Sequence, residues 1–172
     1  MPAFTKAEVL EFLDARGINY QHVEHEAVFT METMAALHLP FEHEIVKNLF
    51  LRDDKKRNYY LVVMVGDKPC NLKALRQLLE SRPLKFASSE DLESYLGLFG
   101  GEVSPFGILN DEQACVQVVF DEELKNYSGL GVHPNDNTAT VHIALDDLVA
   151  IIEEHGNPVR FVDLPWPEPT QE

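Results

Sequence analysis

Two long apolar runs separated by a short polar turn constrain the fold of this chain most strongly. EIVKNLFLR at 44–52 and YYLVVMV at 59–65 are rich in β-branched and aromatic residues, and DDKKRN lies between them. This pattern predicts two antiparallel strands joined by a hairpin. A sheet built on that hairpin is therefore the expected centre of the fold.

Lys47 occupies an unusual position in the first of these strands. With a side-chain period of two residues, Lys47 shares a face with Leu49 and Leu51, while Asn48 lies on the opposite face. An ammonium in line with apolar side chains is costly unless it reaches a cleft or an anion. The alternative is that Lys47 lies near the strand end and extends its charged head into water.

The remaining segments mix helices and strands without the regular βαβ order of a doubly wound fold. Their periodicities, caps and breakers predict helices at 5–17, 30–37, 71–81, 88–97 and 146–155, and strands at 18–23, 84–87, 114–120, 138–144 and 159–162. We therefore expect an α+β (complex α/β) fold, in which helices surround a mixed, mostly antiparallel sheet.

Length and composition fit one domain. With 172 residues and 45% hydrophobic content, the chain can build one core, which we place at 1–164, followed by a flexible Pro-rich tail at 165–172. The absence of a long apolar run or a leader-like N-terminus predicts a cytoplasmic protein without membrane contact. Cys70 and Cys115 are expected to be reduced thiols, with Cys115 in the core.

Charge is distributed unevenly along the chain. The formal net charge is −15, which argues against non-specific nucleic-acid binding. Between Lys47 and Lys85, however, ten basic residues accompany four acidic ones, so this segment carries +6 and the remainder −21. An anionic partner is expected to meet the basic segment, unless these charges are only a solvated surface.

The stretch GLFGGEVSPFGILN at Gly97 to Asn110 interrupts the regular elements. Its three glycines after the helix and its proline are incompatible with a regular helix or a central strand, so we predict a shaped loop. Such loops expose backbone N–H groups to ligands, and Ser104 adds a hydroxyl. We expect this loop and Lys47 to form two walls of one site.

Standard catalytic and nucleotide-binding motifs are absent from the sequence, and His22 and His25 are poorly spaced for a metal. We therefore expect neither a metal nor a cofactor.

A third candidate for the site is His133, in the turn GVHPNDNTAT, although a histidine there can also be an ordinary surface residue. Met31 and Met34, on the predicted helix at 30–37, belong either to a re-packing wall over the pocket or simply to the core.

Several motifs together resemble one known family. KNLFLRD, YYLVVM, NLKALRQLL, LKFASSEDLESYLG, GEVSPFGILND and HPNDNTATVHI follow one another between Thr5 and Phe161. In this order they resemble the YbaK/ProRS-INS superfamily, and within it the free-standing prolyl-tRNA deacylases of the PrdX or ProXp-ala branch. Gly100 departs from the proline found there in many relatives.

The resemblance implies an aminoacyl-tRNA deacylase that acts in trans. The family's strand lysine corresponds to Lys47, its histidine to His133, and its GxxxP loop to the five residues Gly101, Glu102, Val103, Ser104 and Pro105. It implies catalytic roles for Lys47, Gly101, Ser104 and His133, with loop N–H groups at the oxyanion and assistance from the substrate's ribose 2′-hydroxyl. The other candidates for substrate binding are Glu102, Val103, Pro105, Met31, Met34, Asn48 and Asn137.

The implied substrate is Ala-tRNA(Pro), because a synthetase pocket for proline discriminates poorly against a smaller amino acid. The implied partners are the acceptor end of tRNA(Pro) and, as a further possibility, prolyl-tRNA synthetase. Three alternatives remain open: Cys-tRNA(Pro) as the substrate, a non-catalytic module that binds a nucleotide or an aminoacyl ligand, and a protein that docks on a synthetase.

Overall fold

The computed structural model describes residues 4–100 and 102–167 and contains two β-sheets. The strands are β1 (Tyr20–Glu24), β2 (Val46–Asp53), β3 (Tyr59–Val65), β4 (Leu84–Phe86), β5 (Val116–Asp121), β6 (Leu130–Val132), β7 (Ala139–Ile143) and β8 (Val159–Val162). The larger sheet has the order β4-β2-β3-β5-β8, and the smaller has the order β1-β7-β6.

Strand pairing is mixed in the larger sheet and antiparallel in the smaller one. β2 pairs antiparallel with β3 and β4, whereas β5 pairs parallel with β3 and β8. β7 pairs antiparallel with both β1 and β6. The predicted α+β fold and mostly antiparallel pairing are confirmed, although the strands divide between two sheets rather than forming one.

Within the part of the chain that the structure describes, five helices and several tight turns accompany the strands. They are α1 (Lys6–Ala15), α2 (Met31–Ala36), α3 (Leu72–Leu79), α4 (Ser89–Asp91), which continues as a π-helical turn (Leu92–Leu96), and α5 (Leu145–His155), with 3-10 turns at Glu42–Glu44, Pro105–Asn110 and Glu122–Asn126. Within the described ranges no helix is long and apolar enough to cross a membrane.

Side-chain caps mark where α1, α2 and α3 begin. Thr5, Thr30 and Asn71 each accept a backbone N–H from the residue three positions ahead, as the sequence predicted for Thr5 and Asn71. At the other end of α5, Gly156 adopts a left-handed conformation at φ 109°, which ends the helix there as expected.

The hairpin between β2 and β3 is closed by one buried carboxylate. Asp53 accepts hydrogen bonds from the backbone N–H groups of Lys55 and Arg57, at 3.1 and 2.8 Å, and from the Asn58 amide at 2.9 Å. Although burial raises the pKa of Asp53, these hydrogen bonds outweigh that effect and lower it. The turn predicted at this position is confirmed.

The two faces of the larger sheet pack against different partners. Phe50 and Val46 of β2 join the main core with α1, α5 and the smaller sheet, whereas Leu51 packs in a second cluster with Leu75 and Leu79 of α3. The alternation predicted for β2 is therefore confirmed. Lys47 lies on the face that carries Leu51, at the end of the strand nearest the smaller sheet.

Some sequence predictions were wrong in detail. Cys115 is exposed, because β5 begins only at Val116. The apolar spacing of the helix predicted at 71–81 places Leu78 on its buried stripe with Leu75 and Leu79, but Leu78 is 42% exposed. Pro105–Asn110, expected to be irregular, forms a 3-10 turn with proline in its first turn, and β6 was not foreseen.

Candidate active site

A cavity of about 220 Å³ opens between the start of β2, the end of β6, the α2 region and the GxxxP loop. It contains most of the candidates chosen from the sequence. Its lining consists of Val28, Phe29, Thr30, Met31, Met34, Ile45, Val46, Lys47, Asn48, Val103, Gly131, Val132, His133 and Thr140. The structure thus brings Lys47, Asn48, His133, Val103 and the two methionines together.

Lys47 is held in this cavity by a main-chain acceptor. Its side chain is half-buried, and Nζ donates to the carbonyl oxygen of Lys68 in the turn that follows β3. Burial raises the pKa of the neighbouring Cys70 thiol, and the positive charge of Lys47 opposes that rise. The ammonium is therefore anchored at the cavity rather than extended freely into water.

His133 contributes a neutral imidazole. Its Nδ1 lies 2.9 Å from the carbonyl oxygen of Ala139, which can only accept, so Nδ1 carries the proton. Burial lowers the pKa of His133 and outweighs the opposing effect of that hydrogen bond. Because the ring lines the cavity and is uncharged near neutral pH, Nε2 offers a lone pair to a ligand.

Two further polar side chains line the cavity. Asn48 Oδ1 is buried and has no hydrogen-bond partner within the described residues. Thr140 Oγ1 lies 2.8 Å from Nε2 of His25, whose Nδ1 faces the carbonyl oxygen of Glu26 at 2.8 Å. This contact uses at most one lone pair of Thr140 Oγ1, so the hydroxyl oxygen can still accept a further hydrogen bond. The cavity is therefore rich in acceptors.

The GxxxP loop is described from Glu102 onward, and Gly101 lies outside the described residues. Val103 lines the cavity. Ser104 is fully buried; its Oγ donates to the carbonyl oxygen of His133 at 2.5 Å and accepts the N–H of Phe106 at 3.1 Å. The serine hydroxyl thus ties the loop to the His133 turn.

Like Ser104, three more predicted site residues lie outside the cavity lining, namely Glu102, Pro105 and Asn137. Burial, and secondarily the charge of Asp136, raises the pKa of Glu102, whose N–H donates to the carbonyl oxygen of Phe99 at 3.0 Å. Pro105 is buried at the start of its 3-10 turn. The Asn137 amide donates to the carbonyl oxygen of Val28 at 2.8 Å, so Asn137 supports the wall that carries Val28.

The wall formed by α2 and the residues before it combines buried and exposed apolar side chains. Met34 is 4% exposed, Met31 37% and Phe29 71%. A Cβ at Gly66 would lie 2.7 Å from Met31 Cε, so the glycine allows Met31 to approach β3. Phe29 leaves a large aromatic ring in water at the mouth of the cavity.

Sequence reasoning missed several lining residues, among them Phe29, Thr140 and Gly131. One signal was available for Gly131, because a glycine in a strand often marks a close backbone approach. A Cβ there would lie 2.9 Å from Ile45 Cγ1, where the two sheets meet through an isolated bridge. Phe29 and Thr140 had no comparable signal in the sequence.

The basic segment does not form one surface beside the cavity. Lys68 is fully buried in an ion pair with Asp121, and Arg82 pairs with Asp54. The hairpin tip that carries Lys55 lies about 20 Å from the cavity, at the far end of β2. Only part of the +6 charge is thus placed to meet a ligand at the cavity.

No group of three or more His, Cys, Asp and Glu side chains that could hold a metal ion occurs in ranges 4–100 and 102–167.

Comparison with known proteins places this geometry in context. A family model described as an aminoacyl-tRNA editing domain matches residues 25–151. The prolyl-tRNA editing protein ProX of Acetoanaerobium sticklandii is 46% identical over 159 residues, covering 92% of this chain and 97% of that protein. Prolyl-tRNA synthetase associated domain-containing protein 1 of Danio rerio is 34% identical over 155 residues, which cover 89% of this chain and 84% of that protein.

The fold is shared with solved structures. A crystal structure of a candidate trans-editing enzyme for prolyl-tRNA synthetase superposes with a TM-score of 0.70, at 24% identity, covering 92% of this chain and 96% of that one. At this level of identity the likeness concerns the fold.

Proposed function

Because the chain belongs to the aminoacyl-tRNA editing domain family, we propose that it hydrolyses alanine from mischarged Ala-tRNA(Pro), acting in trans. The family assignment confirms the enzyme class predicted from the sequence, an aminoacyl-tRNA deacylase. The observation that carries the finer proposal is the small cavity in which Lys47, Asn48 and His133 converge.

The acceptors in the cavity suit the amino group of an aminoacyl ester. Asn48 Oδ1, His133 Nε2 and a free lone pair of Thr140 Oγ1 all lie in the lining, and an ammonium offers only donors. The buried amide oxygen of Asn48 gains a partner when such a group enters. We assign the aminoacyl group to this part of the cavity.

Lys47 and the loop act on the ester and its nucleotide. The ammonium of Lys47 is placed to hold the terminal adenosine or its phosphate. The N–H of Glu102 already donates to Phe99, so we assign stabilisation of the tetrahedral oxyanion to the N–H groups of Val103 and Ser104, with Gly101 as a further donor. The water that attacks the carbonyl is assisted by the ribose 2′-hydroxyl.

Ser104 acts through position in this proposal. Its Oγ holds the loop against the His133 turn, so it sets the distance between the oxyanion donors and the imidazole. His133 orients the substrate as a neutral acceptor. Asn137 likewise supports the Val28 wall rather than touching the substrate.

Substrate choice follows from the size of the cavity. Val28, Ile45 and Met34 are buried apolar walls, and an alanyl side chain needs less room than the prolyl ring. Rejection of proline by steric exclusion would complement a synthetase that admits alanine. Cysteine is close enough to alanine in size to remain the competing substrate.

tRNA(Pro) is the proposed partner, and its acceptor end is the part that reaches the cavity. The names of the relatives support this choice, since one is a prolyl-tRNA editing protein and another carries the phrase synthetase associated. Association with prolyl-tRNA synthetase and a cytoplasmic location are parts of the same proposal.

Loss of the ester bond from Ala-, Cys- and Pro-tRNA(Pro) tests the proposal directly. We expect fastest hydrolysis of the alanyl ester and protection of the prolyl ester. Faster hydrolysis of the cysteinyl ester than of the alanyl ester would make Cys-tRNA(Pro) the preferred substrate and would contradict the alanine assignment. Binding of all three without turnover would support the non-catalytic alternative and contradict the proposal.

A further inference from the structure

Lys68 is a buried charged residue that the proposed reaction does not use. It lies in the turn between β3 and α3 and has no exposed surface. Its Nζ donates to the carbonyl oxygen of Leu164 at 2.8 Å and pairs with Asp121 at 2.9 Å and Glu123 at 3.2 Å. A buried ammonium with this many partners has one defined position.

The segment after β8 also covers the buried ammonium of Lys68. The ring of Trp166 lies 5.2 Å from Lys68 Nζ, and its indole N–H donates to Glu123 Oε1 at 2.8 Å. The end of β5, the 3-10 turn that follows it and the segment after β8 therefore meet at one ammonium. This arrangement connects the turn after β3 to parts of the chain about 50 to 100 residues later.

The other end of the same residue faces the cavity. The carbonyl oxygen of Lys68 accepts the hydrogen bond from Lys47 Nζ, while the Lys68 N–H donates to the carbonyl oxygen of Val65 at 3.1 Å. With the side chain and the N–H of Lys68 both held, the Cα atom that carries this carbonyl has little freedom to move. The carbonyl oxygen that accepts the Lys47 hydrogen bond is therefore held in place by the contacts of the Lys68 side chain and N–H.

We propose that Lys68 is a positioning residue: its buried ion cluster fixes the carbonyl that holds the Lys47 ammonium in the cavity. That Lys68 fixes the position of Lys47 follows from these contacts alone. That this position affects catalysis rests on the proposed function. A purely structural lysine would stabilise the fold without affecting Lys47 in particular.

Chemical reactivity of the Lys47 amine tests its position without any substrate. The Lys68→Met variant keeps an unbranched side chain that is one atom shorter and removes the charge, and Lys125→Met is the matched control because Lys125 is half exposed. Trace acylation followed by mass spectrometry, at a temperature where both variants are folded, should show Lys47 labelled at least ~3-fold faster in Lys68→Met only. Unchanged labelling of Lys47 would overturn the inference.

Where Lys68→Met does not fold, Trp166→Phe decides the question. Trp166 is about half exposed, and phenylalanine keeps a ring while removing the hydrogen bond to Glu123. Faster labelling of Lys47 in this variant supports the inference, and labelling equal to wild type overturns it.

A double-mutant cycle tests the effect on catalysis. Lys68→Met should lower kcat/KM for Ala-tRNA(Pro) by about 10-fold in the wild-type background and have no further effect in a Lys47→Ala background. Losses that multiply would assign Lys68 a general structural role. Absence of deacylation in the wild type would instead contradict the proposed function, and the labelling experiment would still decide the position of Lys47.

Discussion

His133 is the cavity residue whose state depends most directly on its surroundings. Its Nδ1 proton is fixed by the carbonyl of Ala139, and burial lowers its pKa from the ordinary value of 6.5. Protonation would convert Nε2 of His133 from an acceptor into a donor, which could no longer bind the ammonium group of the proposed aminoacyl substrate. The neutral ring is thus the form that fits the proposed substrate.

This state predicts the acid limb of the pH profile. Because the pKa of His133 is lowered, deacylation should keep its activity as the pH falls to 6.5 and decline only below that value. The measurement is kcat/KM for Ala-tRNA(Pro) between pH 5 and 8. An acid limb centred above 6.5, or the same limb in His133→Asn, would contradict the assignment.

Glu44 shows how a single carboxylate can make folding pH-dependent. It accepts hydrogen bonds from Ser128 N at 2.6 Å, Ser128 Oγ at 2.5 Å and His142 Nε2 at 2.8 Å. Burial raises the pKa of Glu44, but these partners outweigh burial and lower it from 4.5. The stabilisation is therefore complete above pH 4.5 and is lost as the pH falls through the lowered value.

Glu44→Gln should accordingly reduce the free energy of unfolding by about 1–2 kcal/mol at pH 7, with a difference from wild type that shrinks below pH 4. Urea unfolding at several pH values measures this. The exposed Glu11→Gln serves as the control and should match wild type throughout. A difference for Glu44→Gln that is independent of pH would refute the role of its charge.

Individual residues were predicted unevenly from the sequence. Lys47 was a candidate because an ammonium in an apolar alternation is unusual, and His133 because of its polar turn and its match to the family's histidine; both line the cavity. Cys115 was misplaced because an apolar run does not reveal where a strand begins. The burial of Lys68 could not be foreseen, since its partners Asp121 and Leu164 are far away in sequence.

Among the elements, α2 has the most direct influence on the choice of substrate. It places Met34 and Met31 in one wall of the cavity, and Met31 is only partly covered. Shortening Met31 therefore enlarges the cavity at a smaller cost in stability than shortening the buried Met34.

Met31→Ala should increase hydrolysis of Pro-tRNA(Pro) relative to Ala-tRNA(Pro) by about 10-fold, because a few methylene groups contribute that much discrimination. The ratio of the two kcat/KM values measures the effect. Leu78→Ala, which shortens an exposed apolar side chain of α3, is the matched control. An unchanged ratio would exclude α2 as a determinant of substrate size.

Elements with strong local signals were predicted best. The β2–β3 hairpin and the caps of α1 and α3 follow from alternation and side-chain hydrogen bonding. β6 has only three residues and lies between glycine and the His133 turn, so it has no periodicity to detect. It forms because β7 offers it a partner, which is information that the local sequence does not contain.

At the scale of the whole molecule, the cavity exists because the two sheets, which share the main core, approach each other closely at the bridge between Ile45 and Gly131. That bridge brings the start of β2 beside the end of β6, and hence Lys47 beside His133. The sequence predicted the α+β class from the mixture of elements but not the division into two sheets. That division depends on contacts between distant strands.

The charge pattern also has to be interpreted in three dimensions. Several of the basic residues between Lys47 and Lys85 are paired or buried, and the hairpin tip is remote from the cavity. Lys47 is therefore the cation that the proposed reaction depends on.

Single-turnover hydrolysis of Ala-tRNA(Pro) by wild type and Lys47→Ala tests this dependence most directly, with Lys125→Ala as the control. Misplacement of a bound substrate commonly costs about 100-fold, so we expect a loss of that size or more in Lys47→Ala, and wild-type rates in the control. Hydrolysis by a folded Lys47→Ala protein at the wild-type rate would contradict the assignment of this cavity as the active site.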